Sequence, residues 1–162
     1  MMEILTEWSP EWEDALQEYK EEFRAAGMDW EGTYGMDKAG VEGTTLNAYV
    51  SSTYLYVSEE RNRLLGLLNL RRDQTKESLA QIGNIGFSIR PSEQGKGYAV
   101  RMLQEAAPLA LLQGIIPWYM VCLADNMASK RVIDRLGGRK QGETEQGNGL
   151  PVLERYVVYD VF

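Results

Sequence analysis

Two glycines with a lysine between them, Gly95, Lys96 and Gly97, lie between an apolar segment that ends at Ile89 and a long apolar helical run. The first backbone N–H groups of a helix have no acceptor within the helix, and the helix dipole places partial positive charge there. Glycines leave these donors uncovered, and a lysine adds a cation beside them. The pattern therefore predicts a phosphate or diphosphate site at the start of the helix. The same glycines would also suit a tight turn from a strand into a helix, with no ligand bound.

The residues around the glycines narrow the chemistry. The segment Gln94 to Ala99 reads Gln-Gly-Lys-Gly-Tyr-Ala. The dinucleotide fingerprint Gly-x-Gly-x-x-Gly fails because Val100 stands where its third glycine would be, and the Lys-Ser/Thr pair of a P-loop is absent. The segment fits Q/R-x-x-G-x-G/A instead. It resembles the acetyl-coenzyme A pyrophosphate loop of the GNAT N-acetyltransferase superfamily, which also follows a strand and precedes a helix.

A second segment carries the same resemblance. The residues from Asn126 to Ile133 read Asn-Met-Ala-Ser-Lys-Arg-Val-Ile, and Gly137 and Gly138 follow. This is similar to the N-x-x-S helix and glycine that the family has after its next strand. The close resemblance covers about residues 64–138 and is greatest to a bacterial branch of predicted acetyltransferases. It implies the GNAT fold, of the α/β (α+β) class, with a mixed central sheet of about six or seven strands, splayed central strands and about four flanking helices.

The resemblance also implies a set of site residues. In the family, the two strands that flank the loop splay apart, and the pantetheine arm of the cofactor lies between them. Here the backbone N–H groups of Ser88 and Ile89 would stabilise the oxyanion, and Asn126 would hydrogen-bond the arm. As a plain helix N-cap, Asn126 would need no ligand. The implied cofactor-binding residues are Phe87, Ile89, Gln94, Gly95, Lys96, Gly97, Tyr98, Ala99, Asn126, Ser129 and Lys130, while Ser88, Ile89 and Asn126 have the catalytic roles.

The general base and the general acid are not evident. The strand from Gly83 to Ile89 has no carboxylate. Many family members carry a tyrosine seven residues after the helix-capping asparagine, where it can protonate the departing thiolate, and this chain has Ile133 there. A water molecule could also accept the proton of the amine. The candidate bases are Asp73, Glu77, Tyr34, Tyr119 and Glu154.

Three functions fit these motifs. The first is an N-acetyltransferase that moves the acetyl group of acetyl-coenzyme A to a primary amine of a small molecule or peptide, by direct transfer in a ternary complex. Cys122 could instead carry the acetyl group in a ping-pong mechanism, but its apolar surroundings favour a buried structural cysteine. The second function is a coenzyme A-binding sensor without turnover, favoured only by the missing base and acid. The third function is nucleotide binding, which is disfavoured because the chain lacks both the dinucleotide fingerprint and the P-loop pattern.

Length and composition limit the partners. The 162 residues predict one domain, residues 1–162. A net charge of -7 argues against nucleic acid or an anionic membrane as partners and suits a cationic or neutral amine, although it also serves solubility. With no histidine and one cysteine, no metal site is expected. The absence of a signal-peptide pattern and of a long apolar run predicts a cytoplasmic protein. Homodimers are common in the family, so a homodimer is one expectation.

Periodicity and turn residues predict the elements that position these groups. The predicted helices are a first one capped by Ser9 and Pro10 and ending at Gly27, a short one at 44–52, a central one at 95–113, and one capped by Asp125 or Asn126 and ending at Leu136. The predicted strands are 3–5, a hairpin of 53–58 and 64–71, 83–89, 115–123 with both faces buried, and a final hairpin of 139–143 and 153–161. Residues 28–43 are expected to be a substrate loop, and 73–78 a charged connector.

Overall fold

The computed structural model describes residues 2–28, 44–46, 49–60 and 62–161. These residues form eight strands and four α-helices. In chain order they are β1 (Glu3–Glu7), α1 (Glu13–Ala25), β2 (Thr44–Leu46), β3 (Tyr49–Ser58), β4 (Arg63–Arg72), α2 (Lys76–Ile82), β5 (Ile85–Ile89), α3 (Tyr98–Leu112), β6 (Trp118–Leu123), α4 (Met127–Arg135), β7 (Arg139–Thr144) and β8 (Leu153–Val158). Single turns of 3-10 helix, Pro10–Trp12 and Pro91–Glu93, precede α1 and α3.

The strands form two antiparallel sheets. The larger sheet has the order β1-β3-β4-β5, with β2 also paired to β3, and the smaller has the order β6-β8-β7. β5 and β6 are in contact but belong to different sheets. The splayed α/β fold predicted from the resemblance is confirmed, and the division falls between β5 and β6.

The two sheets are joined where β5 and β6 begin. The N–H of Asn84 donates to the carbonyl of Tyr119 at 2.9 Å, and the N–H of Tyr119 donates to Oδ1 of Asn84 at 2.8 Å. Nδ2 of Asn84 donates to the carbonyl of Pro117 at 3.1 Å. The preceding Gly83 has φ +69°, and a Cβ there would lie 2.2 Å from the Tyr119 carbonyl oxygen, so only glycine fits. We call these contacts the Asn84 junction.

Two apolar cores cover opposite faces of the larger sheet, because successive strand residues point to opposite sides. On one face, α1 packs Leu16, Tyr19 and Phe23 onto side chains of β3 and β4. On the other face, α3 packs residues that include Met102 and Leu103 onto β3, β4, β5 and β6. The i, i+3 and i+7 spacing of the three α1 residues is the helical period from which that helix was predicted.

Most predicted elements are present, and three predictions are wrong. The predicted helix at 44–52 is replaced by β2 and the start of β3, in which Thr45 pairs with Val50; β-branched residues of this kind favour strands. The segment 73–78, predicted as a connector, contains the start of α2. The N-cap of this helix is Thr75, whose Oγ1 accepts a hydrogen bond from the Ser78 N–H at 3.0 Å. β6 is buried on one face only, because burial alternates along it. The substrate loop predicted at 28–43 lies outside the described residues except for Met28.

We predict that Asn84→Ala lowers the free energy of unfolding by about 2–4 kcal/mol, because it removes the partners of two backbone groups at a residue that is only 8% exposed. Chemical denaturation monitored by circular dichroism would measure the change. Gln17→Ala is the control, since it also removes a side-chain hydrogen bond, to Glu13, but on the exposed face of α1. It should change stability by less than about 0.5 kcal/mol. Equal losses in the two variants would contradict a structural role for the Asn84 junction.

Candidate functional site

An open cleft of about 350 Å³ lies where β5 and β6 diverge. It is bounded by the end of β5, the loop before α3, the first turn of α3, one face of α4 and the end of α1. Ten of the twelve predicted site residues line it, namely Phe87, Ser88, Ile89, Gln94, Gly95, Gly97, Tyr98, Ala99, Asn126 and Ser129. Lys96 and Lys130 are not among the lining residues. The fold therefore brings together two sequence segments that are about thirty residues apart.

The glycine loop has the backbone that its residue types indicate. Gly95 has φ +78° and Gly97 has φ +84°, in the left-handed region that other residues adopt only at a cost. A Cβ at either position would meet no atom within 4 Å, so neither glycine is required by close packing. Gly97 is the N-cap of α3 and provides no side chain to cap the first N–H groups. These donors are thus left without a side-chain cap at the edge of the cleft.

A carboxylate lies beneath this loop. Glu93 is 3% exposed and lines the cleft, and Nζ of Lys96 lies 2.9 Å from its Oε2. Nε of Arg63 lies 3.7 Å from its Oε1. The two cations offset the negative charge that Glu93 would otherwise direct toward an anion in the loop. Lys96 therefore acts on the site through Glu93 in this conformation.

Arg90 fixes the start of the loop to α1. It is 3% exposed, its Nη1 donates to the carbonyl of Leu64 at 2.9 Å, and its Nη2 lies 3.2 Å from Oε1 of Glu18. Its Nε donates to Glu22. Partial burial acts to raise the pKa of Glu22, but hydrogen bonds from Ser92 and Arg90 outweigh it, and the net shift is downward. α1 and the residues just before the loop are thus held together by charged groups.

The hydrogen bonds at the two ends of β5 establish which backbone groups face the cleft. The N–H of Arg90 donates to the carbonyl of Leu65 at 2.9 Å, and the carbonyl of Asn84 accepts from the N–H of Arg71 at 2.9 Å, both toward β4. In an antiparallel ladder, alternate residues direct their N–H and C=O groups to opposite edges. The even-numbered residues of β5 therefore face β4, and the odd-numbered ones face the open edge.

This alternation changes one of the expected roles. The N–H of Ser88 points to β4, so it is not available as an oxyanion donor, contrary to our expectation. The N–H groups of Phe87 and Ile89 point to the open edge beside the cleft. The Ile89 carbonyl faces the same way, because it accepts a 2.9 Å hydrogen bond from Nε2 of Gln94 in the loop. Phe87 and Ile89 are therefore the residues of β5 that present backbone donors to the cleft.

The side chain of Ser88 connects β5 to α1. Its Oγ lies 2.8 Å from the hydroxyl of Tyr19, which is completely buried. Burial raises the pKa of the Tyr19 phenol far above its usual range, despite the hydrogen bond with Ser88. Tyr19 is therefore a neutral hydrogen-bonding group and cannot act as a base.

The face of α4 that borders the cleft carries two arginines. Ala128, Arg131, Val132 and Arg135 follow the i, i+3, i+4, i+7 spacing of a single helix face, and all four line the cleft. Arg135 was missed in the sequence analysis, although its spacing of four from Arg131 is visible in the sequence. Lys130 points elsewhere, because its Nζ lies 2.8 Å from Oε1 of Glu154 and 3.3 Å from the Ala124 carbonyl.

Asn126 lies at the start of the same helix. It is the N-cap of α4, and its Oδ1 accepts the N–H of Ser129 at 3.2 Å. Both residues line the cleft. The capping bond explains the asparagine without a ligand, and its position in the cleft also allows contact with one.

The candidate bases in the described part of the chain lie outside this cleft. Asp73, Glu77, Tyr119 and Glu154 are not among its lining residues. Hydrogen bonds from Lys130 and Lys140 lower the pKa of Glu154 to about 2, so its carboxylate is a very weak base. Tyr34 lies outside the described residues.

A narrow cavity of about 30 Å³ continues the cleft inward between β5 and β6. It shares Phe87, Asn126 and Ser129 with the cleft and is also lined by Cys122 and Ile133. Cys122 is 7% exposed, and Ile133 is 1% exposed. A tyrosine at 133 would have to displace packed core atoms, because Ile133 is buried and its Cγ2 lies so near Gly138 that a Cβ there would be 2.3 Å from it.

Comparison with known proteins identifies the class. The family model described as "Acetyltransferase (GNAT) domain" matches residues 3–139. The chain belongs to the GNAT acetyltransferase family. A search of curated proteins found no match. In the described part of the chain, no helix has the length and apolar character needed to cross a membrane.

Several solved structures share the fold. The ribosomal L7/L12 alpha-N-protein acetyltransferase RimL, in complex with coenzyme A, is 19% identical over 100% of this chain and 97% of that chain, with a TM-score of 0.69. A Salmonella typhimurium acetyltransferase that modifies the N-terminal serine of ribosomal protein L7/L12 is 17% identical over 99% and 96%, with a TM-score of 0.67. A variant of the Vibrio cholerae spermidine N-acetyltransferase SpeG is 19% identical over 70% and 66%, with a TM-score of 0.53.

We predict that Gly97→Asp reduces coenzyme A affinity at least tenfold, because a carboxylate would enter the cleft beside the uncapped N–H groups of α3. Isothermal titration calorimetry would measure this. Gly147→Asp is the matched control: Gly147 has φ +73°, a Cβ there would meet nothing within 4 Å, and the residue does not line the cleft. Because both glycines have a positive φ, each substitution should lower the free energy of unfolding by roughly 1–2 kcal/mol. Unchanged affinity in folded Gly97→Asp would remove the loop from the cofactor site.

Proposed function

We propose that the protein transfers the acetyl group of acetyl-coenzyme A to the primary amine of a small molecule or peptide, by direct attack in a ternary complex. The observation that carries this proposal is the convergence of three groups on one cleft. These are the open edge of β5, the uncapped start of α3 and the cleft-facing side of α4. Acetyl-coenzyme A supplies an activated acetyl thioester and a thiolate leaving group.

Each group has a distinct part in binding. The N–H groups at the start of α3 would receive the diphosphate, since they combine unsatisfied donors with the positive end of the helix dipole. The open edge of β5 would pair with the amide groups of the pantetheine arm through Phe87, in the manner of an added strand. Asn126, Ser129, Tyr98 and Ala99 would border the arm and the diphosphate. This arrangement would place the acetyl group near Ile89.

Ile89 would provide the oxyanion donor. Negative charge develops on the acyl oxygen as the amine attacks, and a preorganised N–H group stabilises it without reorganisation. The Ile89 N–H is held in place because Gln94 fixes the carbonyl of the same residue. The hydrogen bond between Ser88 and Tyr19 supports the strand from the side of α1. These residues would position the reacting groups through the backbone.

The lack of an obvious base bears on the choice of acceptor. Among the described residues, Glu93 is the one carboxylate that lines the cleft, and Lys96 and Arg63 hold it. The amine would then lose its proton to water. A peptide α-amine has a pKa near 7.8, whereas a lysine-type alkyl amine has one near 10.4, so the neutral fraction of the α-amine at pH 7 is about 350-fold larger. A peptide N-terminus is therefore the preferred acceptor in this proposal.

RimL and SpeG provide the two acceptor classes to compare. RimL is an α-N-acetyltransferase of the ribosomal protein L7/L12, and SpeG is a spermidine N-acetyltransferase. At their level of identity, the likeness supports the fold and does not select between the two acceptors. The acidic character of the chain, with a net charge of -7, would suit a polyamine as well.

We predict turnover by the unmodified protein, measured as thiol release from acetyl-coenzyme A across a panel of N-terminal peptides, polyamines, amino acids and aminoglycosides. Peptides with a free α-amine should react fastest at pH 7, and the polyamine rate should rise more steeply between pH 7 and 9. A faster polyamine reaction at pH 7 would contradict the preference for an α-amine. It would leave the proposed acetyl transfer intact. Tight coenzyme A binding with no turnover on any acceptor would support a cofactor sensor instead.

We predict that Cys122→Ala retains kcat/KM within about threefold and that double-reciprocal plots intersect in both proteins. Cys122 is buried beside a cavity of only about 30 Å³, where an acetylated thiol would have little room, so it is a poor acetyl carrier. Initial rates with both substrates varied would provide the test. Parallel lines in the wild type, together with loss of activity in Cys122→Ala, would overturn direct transfer. Cys122→Ser, which preserves volume more closely, separates a packing defect from loss of the thiol.

A further inference from the structure

We propose that Asn69 binds the acceptor of the reaction, by accepting a hydrogen bond from the first peptide N–H after the reacting α-amine. The inference rests on the proposed acetyl transfer to a peptide N-terminus. It goes further by assigning a residue of β4 to the acceptor and by naming the acceptor group that this residue binds. It predicts that a peptide loses reactivity when this one N–H is removed.

Three buried polar side chains lie close together on the face of the larger sheet that α1 covers. They are Thr53 on β3, Asn69 on β4 and Ser88 on β5, which are 2%, 1% and 7% exposed. Thr53 and Asn69 pair with each other, and each is two residues from a leucine onto which α1 packs, Leu55 or Leu67. Ser88 pairs with Leu67. Because paired residues and residues two apart share a face, the three side chains form a polar patch beside the apolar contact with α1.

The carboxamide of Asn69 is hydrogen-bonded at its nitrogen and not at its oxygen. Nδ2 donates to the Ser52 carbonyl and to Oγ1 of Thr53, at 3.3 Å in both cases. Both partners belong to β3, so Oδ1, on the other branch of the carboxamide, points away from β3. Among the described residues, Oδ1 has no hydrogen-bond partner. Most buried side-chain oxygens have one, and an N–H group of a ligand would supply it here.

The position of Asn69 connects the polar patch to the cleft. Asn69 pairs with Gly86, so on this face no side chain of that β5 residue stands between Asn69 and the open edge. Gly86 lines the inner cavity, and Ser88 lines the cleft. Asn69 and Ser88 are diagonal neighbours across the two strands, with Cα atoms roughly 7–8 Å apart. Asn69 is therefore one strand behind the edge on which the acetyl group would lie.

This position suits a group one step beyond the reacting amine. Neighbouring strands are about 4.8 Å apart, so Asn69 lies farther from the acetyl group than a single hydrogen bond spans. In an extended peptide the next nitrogen follows after one residue, a step of roughly 3.5 Å. Its N–H is a neutral single donor, which an amide oxygen accepts as the backbone carbonyls of a sheet do. A second ammonium group, as in a polyamine, would be stabilised better by a carboxylate.

The experiment uses two acceptors, the fastest peptide of the panel and the same peptide methylated on the nitrogen of its second residue. We expect the wild type to show an at least tenfold lower kcat/KM with the methylated peptide. Asn69→Leu, which has a similar volume and no carboxamide, should slow the unmethylated peptide until the two values agree within about twofold. Its affinity for coenzyme A should be unchanged. Thr53→Val is the matched control, because it removes one hydrogen bond of Nδ2 and leaves Oδ1 and the bond to Ser52, so it should retain the preference.

The outcomes separate this inference from the proposed function. If the wild type acetylates both peptides equally, or if Asn69→Leu keeps the preference, Asn69 does not bind the peptide N–H and the acetyltransferase proposal stands. The same holds if polyamines react and no peptide does. If no acceptor reacts, the proposed function fails, and this inference fails with it. The wild-type comparison requires no substitution, so it can overturn the inference even if a variant proves unstable in thermal unfolding.

Discussion

The cleft depends on β5 and β6 being joined at one end and separated at the other. The Asn84 junction holds their starts together with hydrogen bonds of 2.8–3.1 Å, in place of a continuing ladder. Beyond it, among the strands that the structure describes, β5 pairs with β4 alone and β6 with β8 alone. Each strand is therefore left with an unpaired edge, which in most proteins must be covered or shortened. Here the two edges face a shared space, and the backbone groups of β5 become available to a ligand.

The charged contacts around Arg90 give this open edge its rigidity. A buried guanidinium group is costly unless it is paired and hydrogen-bonded, and each nitrogen of the Arg90 guanidinium has a partner, in Glu22, the Leu64 carbonyl or Glu18. Arg63 extends the contacts to Glu93, which in turn holds Lys96 in the loop. The end of β5, the first helix and the glycine loop thus form one connected unit. An edge strand without such support would fray, and its N–H groups would not be held ready for a ligand.

The parts of this site that could be predicted from sequence are those in which backbone geometry demands a residue type. Gly95, Gly97 and Asn126 stand where a left-handed turn and a helix cap require them, and they identified both halves of the cleft. Buried polar positions were less visible. Asn69 and Arg71 continue the face of β4 that begins with Leu67, but the segment was interpreted only as an apolar strand. The error at 44–52 has a similar origin, because a short segment with mixed periods leaves strand pairing to be decided by tertiary contacts. The error at 73–78 is of another kind, since the start of α2 has a local signal in its N-cap Thr75 that was not recognised.

The roles of individual groups could not be predicted in the same way. The direction of the Ser88 N–H follows from the position of β4, and no feature of residue 88 itself encodes it. The ion pair of Lys130 depends on Glu154, which lies on a strand twenty-four residues away in sequence and could not be assigned as its partner from the sequence. Chemistry performed by backbone N–H groups leaves no signature of acid and base side chains. The absence of an evident base among the described residues that line the cleft is therefore weak evidence against catalysis. An acetyl thioester is already activated, and an acceptor amine can lose its proton to water.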